Sequence, residues 1–443
     1  MTALTELEHK TPFQFKKVLI ESTHFTSHQK VDIVNAITDL DIFEHLDKPY
    51  LTGTLSFIDS GDVISSGYLQ GGEKVHIELI VNDDLDAKAI AKTFYITQVL
   101  FSHKGHDTVE NVVVHLIEDI AYESNMKNVN NQYSGKPSKI ISSISDLVNK
   151  KVSSSNTEEQ EMRVIVPNLT PIEAIAWVKN NSSTKEGYPF YIYSSLIGDE
   201  LIFSDLKTLM SQDVINPDVP FAHIQANIPQ GNDNESTIRR RTILGYQFKN
   251  TDNLFKMISE GLVSGEYSFL DISNNKRVSG LFDIDKDFIQ KVKNDALIAS
   301  NSDALDYFKK SELNTKKTRK ITQIGSTDAY EGFKSLSQSD DFASYKLSVI
   351  NKSMDYVLKK SPITISVNFL EFMKGKRNNS IGKKIRLRFL ANINAEDGND
   401  TTSIDMKKSG DFLIFGVKHA FRAENYVATL TCVKLSDEEV TDQ

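Results

Sequence analysis

Asp41 to Asp59 reads DIFEHLDKPYLTGTLSFID, and 212 positions later Asn253 to Asp271 reads NLFKMISEGLVSGEYSFLD with no gap between them. Five positions are identical: Phe43/Phe255, Gly53/Gly265, Ser56/Ser268, Phe57/Phe269 and Asp59/Asp271. In the second half of each stretch the residues alternate, with Leu51, Gly53, Leu55 and Phe57, or Val263, Gly265, Tyr267 and Phe269, on one face. Thr52, Thr54 and Ser56, or Ser264, Glu266 and Ser268, fall on the other face. A two-residue period of this kind predicts a half-buried antiparallel strand, because successive side chains of an extended chain point to opposite sides of the sheet.

Working outward, GGEKVHIEL (Gly71 to Leu79) returns as IGKKIRLRF (Ile381 to Phe389), now 310 positions on. After each comes a further pair of predicted strands. FYITQVLF (Phe94 to Phe101) and ENVVVHLIE (Glu110 to Glu118) correspond to FLIFGVKHAF (Phe412 to Phe421) and NYVATLTCV (Asn425 to Val433). Three segments in the same order predict one β unit written twice, the second copy interrupted by inserted chain.

The 443 residues exceed what one hydrophobic core usually organises, so several structural units are expected. A net charge of −9 counts against the whole chain being a nucleic-acid binder, which needs a surplus of Lys and Arg to neutralise phosphates. The single Cys432 excludes an intramolecular disulfide framework and a cysteine zinc cluster; in its strand pattern it reads as a small buried hydrophobe. No apolar run approaches the roughly eighteen residues of a membrane span, and the opening MTALTELEHKTPFQF has no basic-then-apolar leader pattern. Synthesis and assembly in a cytoplasm are therefore expected.

The predicted class is α+β, mainly β: two similar antiparallel β-barrel domains, the first also compatible with a sandwich, with an inserted helix-plus-hairpin region. After a flexible tail to about Pro12, residues 13–120 are assigned to the first barrel and 121–240 to the α+β region. The second barrel is expected from 241–280 and 362–436, split by a helix-rich insertion at 281–361, with an acidic tail at 437–443. Within the α+β region, Ile140, Ile141, Ile144, Leu147 and Val148 recur at helical spacing from about Pro137. Thr170, Pro171 and Glu173 form a capping box with proline at the first helical position, starting a helix to about Asn180 that carries the only tryptophan, Trp177. FYIYS (Phe190 to Ser194) and ELIFSDL (Glu200 to Leu206) then form a hairpin through Gly198 and Asp199.

Chemistry-bearing motifs are missing. The chain contains no G-x-x-x-x-G-K-[ST], G-x-G-x-x-G, H-E-x-x-H or G-x-S-x-G. DIDKD (Asp283 to Asp287) opens like a calcium loop, but Phe288 stands where the sharp turn needs glycine and Asn294 where the bidentate glutamate belongs. His103 and His106 fall in a turn pattern and read as solvated. The triplet Arg239 to Arg241 and the basic run from Asp295 to Lys320 read as exposed, ion-pairing surface. No catalytic, cofactor-binding or metal-ligating residue is singled out, and no cofactor is expected.

The order of β unit, helix-plus-hairpin, and interrupted second β unit resembles the central hub proteins of contractile, T4-like phage tail baseplates. The likeness is carried by IFEHLDKPYLTGTLSFIDS (Ile42 to Ser60), GGEKVHIEL, the strand pair FYITQVLF and ENVVVHLIE, and TPIEAIAWVKN (Thr170 to Asn180) followed by the hairpin. Late-control tail proteins and the hub portion of type VI secretion spike proteins are similar in kind. Those spike proteins continue into an OB-fold and a β-helical needle; here the second β unit ends close to Gln443, so the needle is expected to be a separate protein. The resemblance implies a non-enzymatic homotrimer whose six β modules form a ring between a threefold central spike and a sixfold tail tube. Implied partners are the spike, a tube or tube-initiator protein and a tape-measure protein, with DNA only in transit and no membrane. The implied location is the virion tail. A cell-wall-degrading tail enzyme, a receptor-binding tail protein and the hub of a phage-derived secretion system are the rival readings.

Overall fold

In a computed structural model, the described residues are 12–437 apart from 26–29, 65–67, 82–88, 107–108, 156–157, 218, 224–239, 250–257, 296–318, 326–334, 337–341, 360–361, 376–377, 391–403, 406–407 and 423–424. The tail before Pro12, the acidic tail and most of the basic run lie outside them.

Seven strands come first: β1 (Phe13–Glu21), β2 (Lys30–Asp32), β3 (Ile37–His45), β4 (Thr52–Asp59), β5 (Lys74–Val81), β6 (Ile90–His106) and β7 (Val109–Glu118). The α+β region follows with α1 (Asp119–Ser124), β8 (Gln132–Gly135), α2 (Pro137–Ser145), β9 (Val152–Ser154), β10 (Met162–Ile165), α3 (Pro171–Asn180), β11 (Phe190–Tyr193), β12 (Leu201–Asp205) and α4 (Leu206–Ser211). Then come β13 (Phe221–Ala222), β14 (Ile243–Phe248), β15 (Ser264–Asp271), β16 (Lys276–Asp283), α5 (Gln290–Asn294), β17 (Arg319–Gly325) and α6 (Phe342–Leu358). The chain closes with β18 (Ile363–Val367), β19 (Lys384–Arg388), β20 (Gly410–Arg422) and β21 (Asn425–Asp437).

A duplicated strand order is present, but not the one announced by the opening echo. In the first set the neighbours run β5-β6-β7-β4-β3, and in the second β19-β20-β21-β18-β14. The registers make the match residue by residue. Gly53, Leu55 and Phe57 face Leu116, Val114 and Val112, just as Ile363, Ile365 and Val367 face Cys432, Leu430 and Ala428. The counterpart of β4 is therefore β18, and that of β3 is β14. Even the irregularities agree: β6 bulges between Ile96 and Gln98 and β20 between Ile414 and Gly416, while β3 shifts between Ile37 and Asp39 and β14 between Ile243 and Gly245. A bulge re-aims a strand, so matched bulges mark matched geometry.

β15, the second half of the echo, belongs elsewhere. It is the middle strand of a separate three-stranded sheet, antiparallel to β16 and parallel to β17, so Gly265 and Phe269 are not equivalent to Gly53 and Phe57. The likeness has a local cause. Both segments are central strands with an alternating sequence pattern, and both end on an aspartate that closes an Asx turn. Asp59 accepts from the amides of Gly61, Val63 and Ile64, and Asp271 from the amide and hydroxyl of Ser273. The insertion between β14 and β18 thus carries β15, β16, α5, β17 and α6, and begins before residue 281.

The two sets, together with β1, β2 and β13, form one thirteen-stranded sheet. No closed barrel is found among the described residues, and the far half of β20 pairs with β3 of the first set. The core below this sheet is continuous across both sets and reaches α6 and the β11–β12 hairpin through Tyr191, Tyr193, Val349 and Met354. A second apolar cluster lies under α2, α3 and the hairpin, where Ile140, Ile141, Ile144 and Val148 are buried as their spacing predicts, whereas Leu147 is exposed because the α-helix ends at Ser145 and a tighter turn follows. α3 starts on the expected capping box: Thr170 Oγ1 accepts from the Glu173 amide and Glu173 accepts in return from the Thr170 amide.

Candidate functional site

The point where the two strand sets meet concentrates buried charge. Along β3, Leu40, Ile42, Glu44 and Leu46 form the column that faces the core, and along β20 Val417, His419 and Phe421 do the same. Glu44 and His419 therefore sit at positions where alternation calls for apolar side chains. Glu44 accepts from the amide of Leu196 and the hydroxyls of Ser195 (3.1 Å) and Ser380 (2.7 Å). One carboxylate thus ties the first strand set to the loop after β11 and to the turn before β19. Asn378 completes the knot, its Oδ1 accepting from Ser195 and Ser380 and its amide nitrogen donating to the Ile381 carbonyl.

His419 Nε2 lies 3.4 Å from Glu44 Oε2, close enough for charge attraction but too poorly aligned for a regular hydrogen bond, while Nδ1 meets the Tyr426 hydroxyl at 2.8 Å. Burial pushes the Glu44 carboxyl up; the charge and contact of His419 and the hydrogen bonds from Leu196 and Ser380 outweigh it and hold the group below the usual carboxylate range. On the opposite face of the same strand pair, Lys418 reaches Asp41 at 2.9 Å, and Arg422 bridges Asp39 (2.7 Å) and Asp41 (2.8 Å).

A second buried node joins the first set to the α+β region. Glu118 at the end of β7 accepts from the Leu51 amide (2.8 Å), Lys150 (3.0 Å) and Ser194 (3.3 Å). Burial lowers the Lys150 ammonium, but the adjoining Glu118 carboxylate raises it more, and the net is upward. Lys92, 4.0 Å from Glu118 and bonded to the Gly198 carbonyl, is drawn down by burial ahead of that same carboxylate.

Glutamate, histidine and serine side by side invite a catalytic reading, and the geometry refuses it. The serine hydroxyls donate to the carboxylate rather than to the imidazole, the imidazole faces a tyrosine, and Glu44 and His419 have no surface through which a substrate could reach them. A cleft of about 1090 Å³ beside the hairpin is lined by groups such as Ser153, Tyr193, Asp199, Glu200, Thr208 and Lys383, with neither histidine nor cysteine among its lining residues.

The residues flagged in the sequence disperse. Asp283 accepts from the Asp285 amide; Asp287 accepts from the Asp283 amide and pairs with Lys346 at 2.9 Å, so these carboxylates serve a turn and an ion pair. Among the described residues no cluster of three metal-ligating side chains forms. Arg240 pairs with Glu371 at 3.0 Å, and Arg241 donates to the Val219 carbonyl and lies over Phe369. His103 is exposed, on β6 rather than in a turn, and Cys432 is fully buried, its thiol pushed up by that burial. Glu44 and His419 went unremarked in the sequence, although a charge interrupting an apolar column was the available signal.

Neither a family model nor a curated protein matches the sequence. Solved structures do. The chain is similar to the 43 kDa tail protein of prophage MuSo2 from Shewanella oneidensis at 8% identity, covering 94% of this chain and 98% of that one with a TM-score of 0.52. It is also similar to a tail protein of Neisseria meningitidis MC58 (12% identity, 95% and 97% covered, TM-score 0.49). A third likeness is to the E. coli c3393 protein, described as a type VI secretion component similar to the T4 tail proteins gp27 and gp5 (8% identity, 96% and 77% covered, TM-score 0.40). The first of these fixes the fold as that of a phage tail protein over nearly the whole chain.

Proposed function

We propose that the chain is a structural hub subunit of a contractile phage tail baseplate, acting as a trimer that joins a threefold spike to a sixfold tube. The observation that carries the reading is the duplicated strand order within one sheet. Two equivalent sets per chain, repeated by a threefold axis, give six near-equivalent modules, which meets both symmetries without any chemistry. The sets are alike in geometry and unlike in charge. Strand β5 presents Lys74, His76 and Glu78 where β19 presents Lys384, Arg386 and Arg388, so alternate modules of the ring offer different surfaces to a threefold neighbour. The buried node at Glu44 holds the two sets of one chain at a fixed angle, as a ring element requires. A spike protein, the first ring of a tail tube and a tape-measure protein are the partners of this reading, and the tail of the virion is its location.

The test is co-expression with the neighbouring spike protein, followed by mass measurement and a particle map. Three copies about the tail axis is the expected result; one, two or six copies overturns it. A muramidase assay on the purified chain addresses the enzymatic alternative, and turnover there removes the structural reading.

A further inference from the structure

The face of the sheet turned away from the core carries a notch where the two strand sets meet. Both sets bulge at the same place, and there the first set has Gln98 opposite His115 while the second has Gly416 opposite Thr431. The missing side chain opens a recess of about 400 Å³ over β3, β20 and β21, near the lower end of the roughly 300–1,000 Å³ typical of ligand sites. A Cβ built on Gly416 would meet Thr431 at 3.6 Å and the Glu44 carbonyl oxygen at 3.7 Å, ordinary contact distances, so the packing beneath does not demand a glycine.

The lining is one-sided in its chemistry. Lys48 and Lys418 bring two ammoniums, Thr52, Thr429 and Thr431 three hydroxyls, and Phe43 and Tyr50 two aromatic walls. His45 adds an N–H donor. Its Nδ1 accepts from the Asp47 amide at 3.2 Å, which leaves the ring proton on Nε2, and burial together with the Lys48 charge holds the ring below its ordinary value, neutral at pH 7. Glu44 is the one carboxylate among the lining residues, and its oxygens are engaged on the core side. Lys418 is balanced by Asp41 at 2.9 Å and stands over the Phe43 ring, whereas Lys48 takes part in no ion pair among the described residues. The recess therefore holds one uncompensated positive charge, several donors and an apolar wall.

We propose that this recess docks a partner polypeptide that presents one aspartate or glutamate beside an aromatic or apolar side chain. The carboxylate takes the Lys48 ammonium and the threonine hydroxyls, charge-assisted bonds stronger than neutral ones, while the neighbouring side chain lies against Phe43 and Tyr50. A single free positive charge matches a single carboxylate. A nucleic-acid backbone needs several cations together and would meet the repulsion of a chain of net charge −9. The first set cannot bind in the same way, because Gln98 and His115 stand at the equivalent positions. The site is complete within one chain and does not depend on the ring.

The experiment is proximity labelling of the purified full chain with N-acetyl-Phe-Glu-amide, whose side-chain carboxyl, activated by a carbodiimide, forms an amide with a nearby lysine. Peptide mapping by mass spectrometry is expected to find Lys48 labelled at least about tenfold faster than the exposed Lys185, because binding raises the local concentration of the probe. Gly416→Gln, which writes the first set's residue into the recess, is expected to bring Lys48 down to the Lys185 rate while leaving the unfolding midpoint unchanged. Thr431→His, copied from the first set in the same way, is expected to do likewise. Equal rates at Lys48 and Lys185, or a Lys48 rate that both variants leave unchanged, overturns the proposal. An oligonucleotide that protects Lys48 but not Lys185 overturns the choice of a carboxylate partner. Carbodiimide alone joining Lys48 to Glu438, Glu439 or Asp442 overturns it as well, since the occupant is then the chain's own acidic tail.

Discussion

Replacing Glu44 by alanine probes the node that fixes the two strand sets. The structure sets the size of the effect. Of the three donors that Glu44 receives, the Ser195 and Ser380 hydroxyls can turn to Asn378 Oδ1, which lies 3.1 Å from each, but the Leu196 amide cannot turn. One buried donor is stranded, at about 1–3 kcal/mol. The carboxylate 3.4 Å from His419 Nε2 is lost as well, and removing one partner of a buried pair costs about 3–5 kcal/mol, which sets the expected total because both losses belong to one group. Glu44→Gln keeps an oxygen for the Leu196 amide and is expected to cost less, about 1–3 kcal/mol. Urea unfolding at pH 7, followed by the fluorescence of the single Trp177 and by circular dichroism, measures both. The carboxyl is held low in the folded state, so its contribution is fully present above the ordinary carboxylate value of 4.5 and is lost as pH falls through the folded value. The wild-type chain should therefore lose more stability than Glu44→Gln between neutral pH and pH values below 4.5. A Glu44→Ala midpoint within about 0.5 kcal/mol of wild type, or identical acid slopes, would refute the role assigned to the node.

Phe57→Ala and Phe269→Ala should each cost about 3–5 kcal/mol, since both rings are buried, and the double variant should be additive because they belong to different sheets; denaturant titration of the three variants decides. Gly53→Ala should destabilise by about 1–3 kcal/mol, because a Cβ there would stand 2.8 Å from the Asp41 carbonyl oxygen on β3. Gly245→Ala meets nothing within 4 Å and should stay within about 0.5 kcal/mol in the same titration. Cys432 should resist a thiol reagent in the folded protein and react only as the chain unfolds; rapid labelling under native conditions would contradict its burial.

Much of the architecture was legible because alternation and capping are local. Most strands of both sets, α2 and the capping box of α3 follow from spacing that neighbouring residues impose on each other, whereas β14 (Ile243–Phe248) was not read as a strand. What misled was also local. LTGTLSFID and LVSGEYSFLD share an alternating pattern and a turn-forming aspartate, features that any central strand ending in an Asx turn acquires, whichever sheet it joins. The true counterpart of Thr54 to Phe57 is Thr364 to Val367, which shares only Thr54/Thr364 and Ser56/Ser366, too little for sequence comparison to prefer it. Pairing partners are set by contacts far apart in the chain, and the register, together with the matched bulges, reveals the duplication where identity has worn away. Glu44 and His419 lie between these extremes: each breaks an apolar column visibly, but only the fold brings the two columns side by side.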